Sequence, residues 1–497
     1  MRGNSPFGSI DRRSYLKGCL VGVGSALTLG GVASAQHIEG QYETVIDIVD
    51  AGADPTGETS ITPVLREQVG DDTLIQFPEG RYAMDEQLRL TDFDNVGFVG
   101  DGATIVPANY HQFDGPQYRL FRLGTRAAPG RDLRFEGFEI DQTADETGIR
   151  VINAEIEDGL LVRDVVVNGI HDAGTWGPGL FNITDPDGEG RVDCFKAPDG
   201  GVHVDFTPNE GNMWKGPTGI HVNDYHQGSL IFEDCELGGF PGNGLYGFSE
   251  NGQIGIDGGY FENSGTASIR LSGSQGAIRN ATIVVDDNPD QAPGQHAIRI
   301  DQGDTFNIDN VSIEAQDPNG EAIRVMSDVD DVTIENTDLY IGEGASSGIR
   351  LDGGAGTATF ADVDVEIDGS AYAFRILGDD DGAVSFQNVS VTGDANGVPI
   401  RHAILCERDD VDFDELSVEQ TGSEERGGLY LSGDGYSVTD SDFETSNTSI
   451  AVTGASDVTI EGTTAESAYD ESVHIYGNSG SVSLENNTFP DGVRDDR

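Results

Sequence analysis

Ala297-Ile298-Arg299-Ile300, Ala322-Ile323-Arg324-Val325 and Gly348-Ile349-Arg350-Leu351 are one phrase written three times: a small residue, an apolar one, a long polar one and a second apolar one. The phrase continues in both directions. Gly148-Ile149-Arg150-Val151, Gly219-Ile220-His221-Val222 and Ser268-Ile269-Arg270-Leu271 precede these three, and Ala373-Phe374-Arg375-Ile376 follows. Apolar residues alternating with a polar one have the period of two of a strand buried on one face. Recurrence at roughly 25 residues is the spacing of a solenoid.

A second phrase keeps the same period. Val384-Ser385-Phe386-Gln387-Asn388 runs into Val389-Ser390-Val391, and similar pairs of short apolar-alternating runs recur before and after it. Between the runs stand Asn280, Asn310, Asn336, Asp362, Asn388, Asp440, Gly462 and Asn486. These residue types tolerate a left-handed backbone, so they mark a tight corner repeated in register. Three short strands per repeat without helical spacing predict an all-β parallel β-helix of about 14 coils. A leucine-rich repeat would need another consensus, and a propeller a longer blade.

The entrance to the repeats carries a resemblance. Val45-Ile46-Asp47-Ile48, then Ala51-Gly52-Ala53-Asp54-Pro55-Thr56-Gly57, then Ile75-Gln76-Phe77-Pro78-Glu79-Gly80-Arg81-Tyr82 and Val99-Gly100-Asp101-Gly102-Ala103 resemble the start of right-handed parallel β-helix proteins of the pectin-lyase-like superfamily. The resemblance covers about residues 43–490. It implies a right-handed coil and a short N-terminal capping helix, for which 62–69 fits, with Thr62 as N-cap and Pro63 first in the helix. That superfamily holds polysaccharide lyases, glycoside hydrolases, tailspikes and adhesins, so its fold does not select an activity. The expected organisation is a signal at 1–35, a strand and helix cap leading into the first coil at 36–95, the β-helix at 96–490 and a polar tail at 491–497.

Asp11-Arg12-Arg13-Ser14-Tyr15-Leu16-Lys17 resembles a twin-arginine export motif. An apolar stretch from Cys19 to Val32 and the small-residue site Ala33-Ser34-Ala35 follow it. Export to the medium or the cell surface is therefore expected, and no other run is apolar and long enough to span a bilayer. The chain carries a net charge of −60 and holds only three lysines, Lys17, Lys196 and Lys215. Such an acidic, lysine-poor surface resembles that of an extreme halophile's protein and excludes nucleic acid as a natural partner. Acidic runs such as Asp379-Asp380-Asp381 read as solvated surface, with calcium the one cofactor they would suit. A metal site is not otherwise indicated, because Cys194, Cys235 and Cys406 lack metal-ligand spacing. A disulfide between Cys194 and Cys235 is open, while Cys406 reads as an inward apolar residue.

The third residue of the first phrase provides one outward position per coil. Aligned, these run Arg122, Arg150, Phe181, His221, Tyr246, Arg270, Arg299, Arg324, Arg350, Arg375, Leu405, Tyr430, Ala451 and His474. Adjacent arginines about 5 Å apart repel by roughly 0.8 kcal/mol even in water. They need anionic company, either Asp301 and Asp352 two positions along the same strands or an acidic glycan laid along the ladder. His221 follows Phe181 at an offset of 40 instead of about 25, so an insertion at about 182–218 is expected. The stretch from His171 to His226 gathers both tryptophans, Trp176 and Trp214, with Lys196, Lys215 and the histidines 171, 203, 221 and 226. Loops on a rigid scaffold are where function concentrates.

Those residue types suit an acidic-polysaccharide lyase, which must neutralise a sugar carboxylate, remove the neighbouring proton and assist the leaving oxygen. Lys215, His221, Tyr246 and Arg270 are the candidate catalytic residues. Trp176, Trp214, Lys196, Arg299, Arg324, Arg350 and Arg375 are candidates for holding the substrate, the tryptophans by stacking on sugar faces. Hydrolysis would need a carboxylate pair, for which Asp172, Asp205 and Asp224 are available. Asn336-Thr337-Asp338 matches part of the polygalacturonase pattern but falls at the turn corner, and the later motifs do not follow it. The other class of function compatible with the residues is a noncatalytic surface or glycan-binding protein.

Overall fold

The structure is a computed structural model and describes residues 38–113, 115, 117–209, 216–288, 294–316, 319–342, 347–378, 382–395, 402–422 and 425–497. The export signal, Trp214, Lys215 and the acidic run 379–381 lie outside the described residues. The chain winds as a right-handed, all-β parallel solenoid with almost no helix. Strand Ile323–Ile341 bends through all three faces of one coil and pairs in parallel with Ile349–Leu351 and Thr357–Ile367 of the next. Ile323 meets Ile349, Ile334 meets Phe360 and Leu339 meets Val365 across that step. All six side chains are at most 1% exposed, so alternation along each strand becomes a continuous interior column across coils.

The helix at the entrance spans Thr62–Gln68, with Pro63 in its first turn. Its N-cap is Ile61 rather than Thr62, and no side chain caps it. Thr62 is fully buried and donates its hydroxyl to the Glu86 carbonyl instead, which draws it into the first turn.

Register pairing counts about 16 coils where the repeat predicted 14. The two extra outward positions are the ends of the ladder, Arg89 paired with Arg122 and Arg494 paired with His474. Arg494 lies in strand Val493–Asp495, so the expected polar tail is the last rung of the solenoid. Two interior rungs also move. Arg122 pairs with Asn153 and Asn153 with Leu180, which in turn pairs with His221, so Arg150 and Phe181 are not on the ladder. The cause is a bulge: the amides of Val151 and Ile152 both donate to the Pro178 carbonyl, at 3.0 Å each, and shift the register that strict alternation assumes.

The corner residues behave as their types require. Asn280, Asn310, Asn336, Asp362, Asn388, Asp440 and Asn486 all have φ between 45° and 56°, and Gly462 has φ 65°. The corner continues upstream through Gly137, Asp164, Cys194, Asp234 and Gly258, and Glu415 fills it between Asn388 and Asp440. Asn310 and Asn280 join side chain to side chain at 2.6 Å, tying one coil's corner to the next. Cys194, at φ 52°, cannot make that bond and carries a β-carbon in a region that costs non-glycine residues roughly 1–2 kcal/mol. Cys194→Asn is therefore expected to raise stability by about 1 kcal/mol, read from the denaturation midpoint at unchanged slope; an unchanged midpoint would show that the corner is not strained.

Cys194, Cys235 and Cys406 are free thiols, so the disulfide left open above is not formed. Asp193 is in register with Glu233, which puts Cys194 at the outer corner below Asp234, while Cys235 turns into the core at 1% exposure. Cys406 is buried, as its strand position predicted.

Candidate functional site

The expected insertion resolves into two parts. Glu189–Ala197 is a regular strand of its coil, paired with Leu160–Asn168 on one side and with Ser229–Glu233 on the other. The true excess is 198–219, which contains the short turn Val204–Phe206 and the undescribed residues 210–215. This segment packs against the corresponding connection of the preceding coil. Asn209 donates to the Ala173 carbonyl at 2.6 Å, His171 N–H to the Gly200 carbonyl at 3.0 Å and Thr218 N–H to the Trp176 carbonyl at 3.2 Å. Further upstream, Gly148 N–H donates to Asp172 at 2.9 Å and Tyr110 N–H to the Glu146 carbonyl at 2.8 Å. Four successive connections are thereby joined into a wall beside the ladder sheet.

That wall delivers Trp176 onto the ladder. Its ring lies flat against His221, with centroids 4.8 Å apart and planes 6° from parallel. His221 faces Tyr246 of the next coil at 5.5 Å, and the Arg270 guanidinium sits 4.5 Å from the centroid of the Tyr246 ring. Four residues chosen on sequence grounds thus form one file, Trp176, His221, Tyr246 and Arg270. Trp176 remains 40% exposed, whereas His221 is only 8% exposed, because the tryptophan covers it. Burial, reinforced by the nearby Arg150 charge, pushes His221 down to about 3, so its imidazole is neutral. Its Nδ1 has no hydrogen-bond partner among the described residues. Burial raises the Tyr246 hydroxyl, with Arg270 opposing in part.

Beyond the file, the arginine rungs are in register from Arg270 through Arg299, Arg324 and Arg350 to Arg375. Asp301 accepts from Arg270 Nε at 2.8 Å and Arg299 Nε at 2.6 Å, and Asp352 holds Arg324 at 3.0 Å and Arg350 at 2.5 Å. Glu321 adds a third carboxylate, 3.1 Å from Arg350. The ladder's charge is therefore largely compensated from within, one aspartate to two arginines. Arg350, Asp352 and Arg375 line an open groove of about 760 Å³ together with Glu407 and Asp409.

Other residues from the sequence reading lie apart from this file. Lys196 is on another face of the coil, in register with Glu236 and 3.7 Å from its carboxylate. His203 accepts from Asp205 N–H at 3.3 Å as the cap of a short turn, and His171 is buried against the Thr175 hydroxyl at 2.9 Å. His226 ties coils together, accepting from Ile183 N–H at 3.1 Å and bonding the Gln253 carbonyl at 3.0 Å. Asp172 is occupied by the amides of Glu146 and Gly148. Asn336-Thr337-Asp338 lies at the turn corner, away from the ladder. No cluster of residues suited to a metal ion occurs among the described residues.

The reading of outward positions missed Arg89, Arg119 and Asn153. Arg89 carries the signal in Leu88-Arg89-Leu90, a shortened form of the phrase, whereas nothing in the sequence announces the bulge that brings Asn153 onto the ladder.

No protein-family model and no curated protein sequence matches this chain. Among solved structures it is similar to the A-module of Azotobacter vinelandii mannuronan C-5 epimerase AlgE6, at 13% identity over 78% of this chain and 98% of that one, with a TM-score of 0.36. It is also similar to the Streptococcus pneumoniae surface adhesin PfbA, at 11% identity over 91% and 93%, with a TM-score of 0.33. A third is the catalytic unit of the GH87 α-1,3-glucanase of Streptomyces thermodiastaticus, at 13% identity over 91% and 69%, with a TM-score of 0.31.

Proposed function

We propose that this protein is exported and acts on an acidic polysaccharide lying along the ladder sheet, cleaving it by β-elimination at the file of Trp176, His221, Tyr246 and Arg270. The observation that carries the reading is the file itself: a flat aromatic face, a neutral imidazole with a free ring nitrogen, a phenol and a guanidinium, in that order on consecutive coils. Trp176 would stack on a sugar ring. Arg270 would neutralise the uronate carboxylate and so make the adjacent carbon acidic. His221 Nδ1 would take the proton from that carbon, the electron pair would form the new double bond, and the bond to the glycosidic oxygen would break. Tyr246 would return a proton to that oxygen, leaving an unsaturated sugar on one fragment and a hydroxyl on the other.

The test is incubation of the mature chain in molar salt with a series of uronate polysaccharides, followed by ultraviolet absorbance of the unsaturated end. His221→Gln is expected to lower the rate by about 10²–10⁴-fold with the coils intact by circular dichroism. Lys215→Ala, in the undescribed part of the excess segment, tests whether that residue shares the proton transfers. A rate unaffected by His221→Gln would remove the histidine from the mechanism. The second reading, a noncatalytic glycan-binding surface, is favoured by the coverage of His221: at 8% exposure beneath Trp176, its nitrogen meets a substrate only after the tryptophan shifts. Binding without any unsaturated product would establish that reading over the first.

A further inference from the structure

Upstream of the file, the ladder sheet holds more positive charge than the carboxylates among the described residues match. Arg119 pairs with Arg150 across one coil step, and Arg122 pairs with Arg89 before it and Asn153 after it. The bulge at Val151 and Ile152 turns Arg150 to the same side as Asn153, whose Oδ1 accepts from Arg150 Nη1 at 3.1 Å. Arg150 is 1% exposed, and among the described residues its Nε and Nη2 reach no acceptor; the Nε groups of Arg119 and Arg122 reach none either. Among the described residues, the one carboxylate whose charge acts on Arg119 and Arg150 is Glu155, itself 7% exposed and in contact with Asn153 at 3.4 Å.

Three guanidinium groups against one carboxylate leave a net positive cluster whose innermost member, Arg150, is out of water. Such burial is costly unless something anionic completes it. Most of the downstream rungs contrast with this: Arg270, Arg299, Arg324 and Arg350 each have a carboxylate within 3.0 Å, and only the Nε of Arg375, among the described downstream rungs, reaches no acceptor, although the same chain carries 88 acidic residues and could have supplied more. Arg119 and Arg122 are partly exposed, so the cluster opens onto the ladder face with Arg150 beneath it. Guanidinium forks are suited to two-point binding of planar or tetrahedral oxyanions.

We infer that Arg119, Arg122 and Arg150 form an oxyanion-binding subsite that takes the carboxylate or sulfate group of an acidic sugar. Arg119 and Arg122 lie three rungs before His221, about 14 Å at the coil spacing, and Arg150 lies one rung nearer, all within reach of the same glycan. The identity of the sugar rests on the function proposed above, while the anion binding does not.

The experiment titrates the mature chain, at fixed chloride and ionic strength, with sodium sulfate, with free glucuronate and with glucose, following the melting temperature and the heat of binding. Sulfate and glucuronate should both raise the melting temperature, and glucose should not. Arg122→Gln and Arg119→Gln should each weaken anion binding by at least tenfold, while Arg279→Gln, on another face, should not change it. Arg150→Met should be at least as stable as the parent without anion and should lose the anion-induced shift. Absence of a shift with both anions, or parental affinity in both glutamine variants, would overturn the subsite, whether or not Arg150→Met folds. Sulfate and glucuronate binding without affinity for any polysaccharide would keep the subsite and remove the polysaccharide reading. Polysaccharide bound equally by the parent and both glutamine variants would do the reverse.

Discussion

Phe386→Ala is expected to lower the stability of the solenoid by about 3–5 kcal/mol, one of the largest losses available from a single side chain. Phe386 stands in the middle of an interior stack, 4.8 Å from Phe360 on one coil and 4.7 Å from Phe413 on the next, with Phe374 edge-on at 5.1 Å. Its ring is 1% exposed and its neighbours belong to strands already fixed by parallel hydrogen bonding, so the walls cannot close on the space it leaves. In a solenoid each coil is stabilised by its two neighbours, so the damage falls on both interfaces at once. Denaturation in molar salt should show the loss, and Phe386→Leu should recover much of it. A loss below about 1 kcal/mol would mean that the stack is not tightly packed.

The second large effect is acid lability from two buried histidines. Burial, with the charge of Arg150 adding to it, pushes both His171 and His221 down to about 3, against an ordinary value near 6.5 in the unfolded chain. Below about pH 6.5 the unfolded chain therefore takes up protons that the folded chain refuses. Stability falls as the pH drops from there toward about 3, by up to roughly 1.4 kcal/mol per pH unit for each histidine. Buried carboxylates such as Asp172, Asp234 and Glu155, which burial raises, act in the opposite direction. The histidine contribution is accordingly read as a difference. The double variant His171→Asn, His221→Gln should show a shallower decline of melting temperature between pH 6 and pH 4 than the parent, and parallel curves would refute burial of the neutral rings.

The arginine rungs from Arg270 to Arg375 were legible because five consecutive coils repeat the phrase at a constant offset, and Asp301 and Asp352 were visible as their partners two positions along. The upstream rungs were not. Alternation assigns each residue to the inner or outer face by counting from its neighbours, and one bulge at Val151 and Ile152 shifts the count, so Arg150 and Phe181 took places that belong to Asn153 and Leu180. Cys194 and Glu415 occupy left-handed corners that their residue types do not announce, and only the stacking of Asn and Asp at the same corner on other coils identifies them. Of the candidate site, Trp176, His221, Tyr246 and Arg270 were nameable from composition and period. That they form one file, and that Lys196 does not join it, depended on which face each strand presents.

By itself, then, the sequence determined the parallel solenoid, its three strands per coil, its left-handed corner and the downstream arginine ladder. Each of these is a local preference, inward or outward, extended or left-handed, repeated often enough to be read as a period. Only the tertiary structure decided what covers an outward residue. His221 faces outward by register and is still buried, because Trp176 arrives over it from a connection 45 residues earlier in the chain. Arg119, Arg122 and Arg150 become a cluster that the described carboxylates only partly balance for the same reason: charge balance and burial are sums over every neighbour in space, and a period along the chain records only neighbours in sequence.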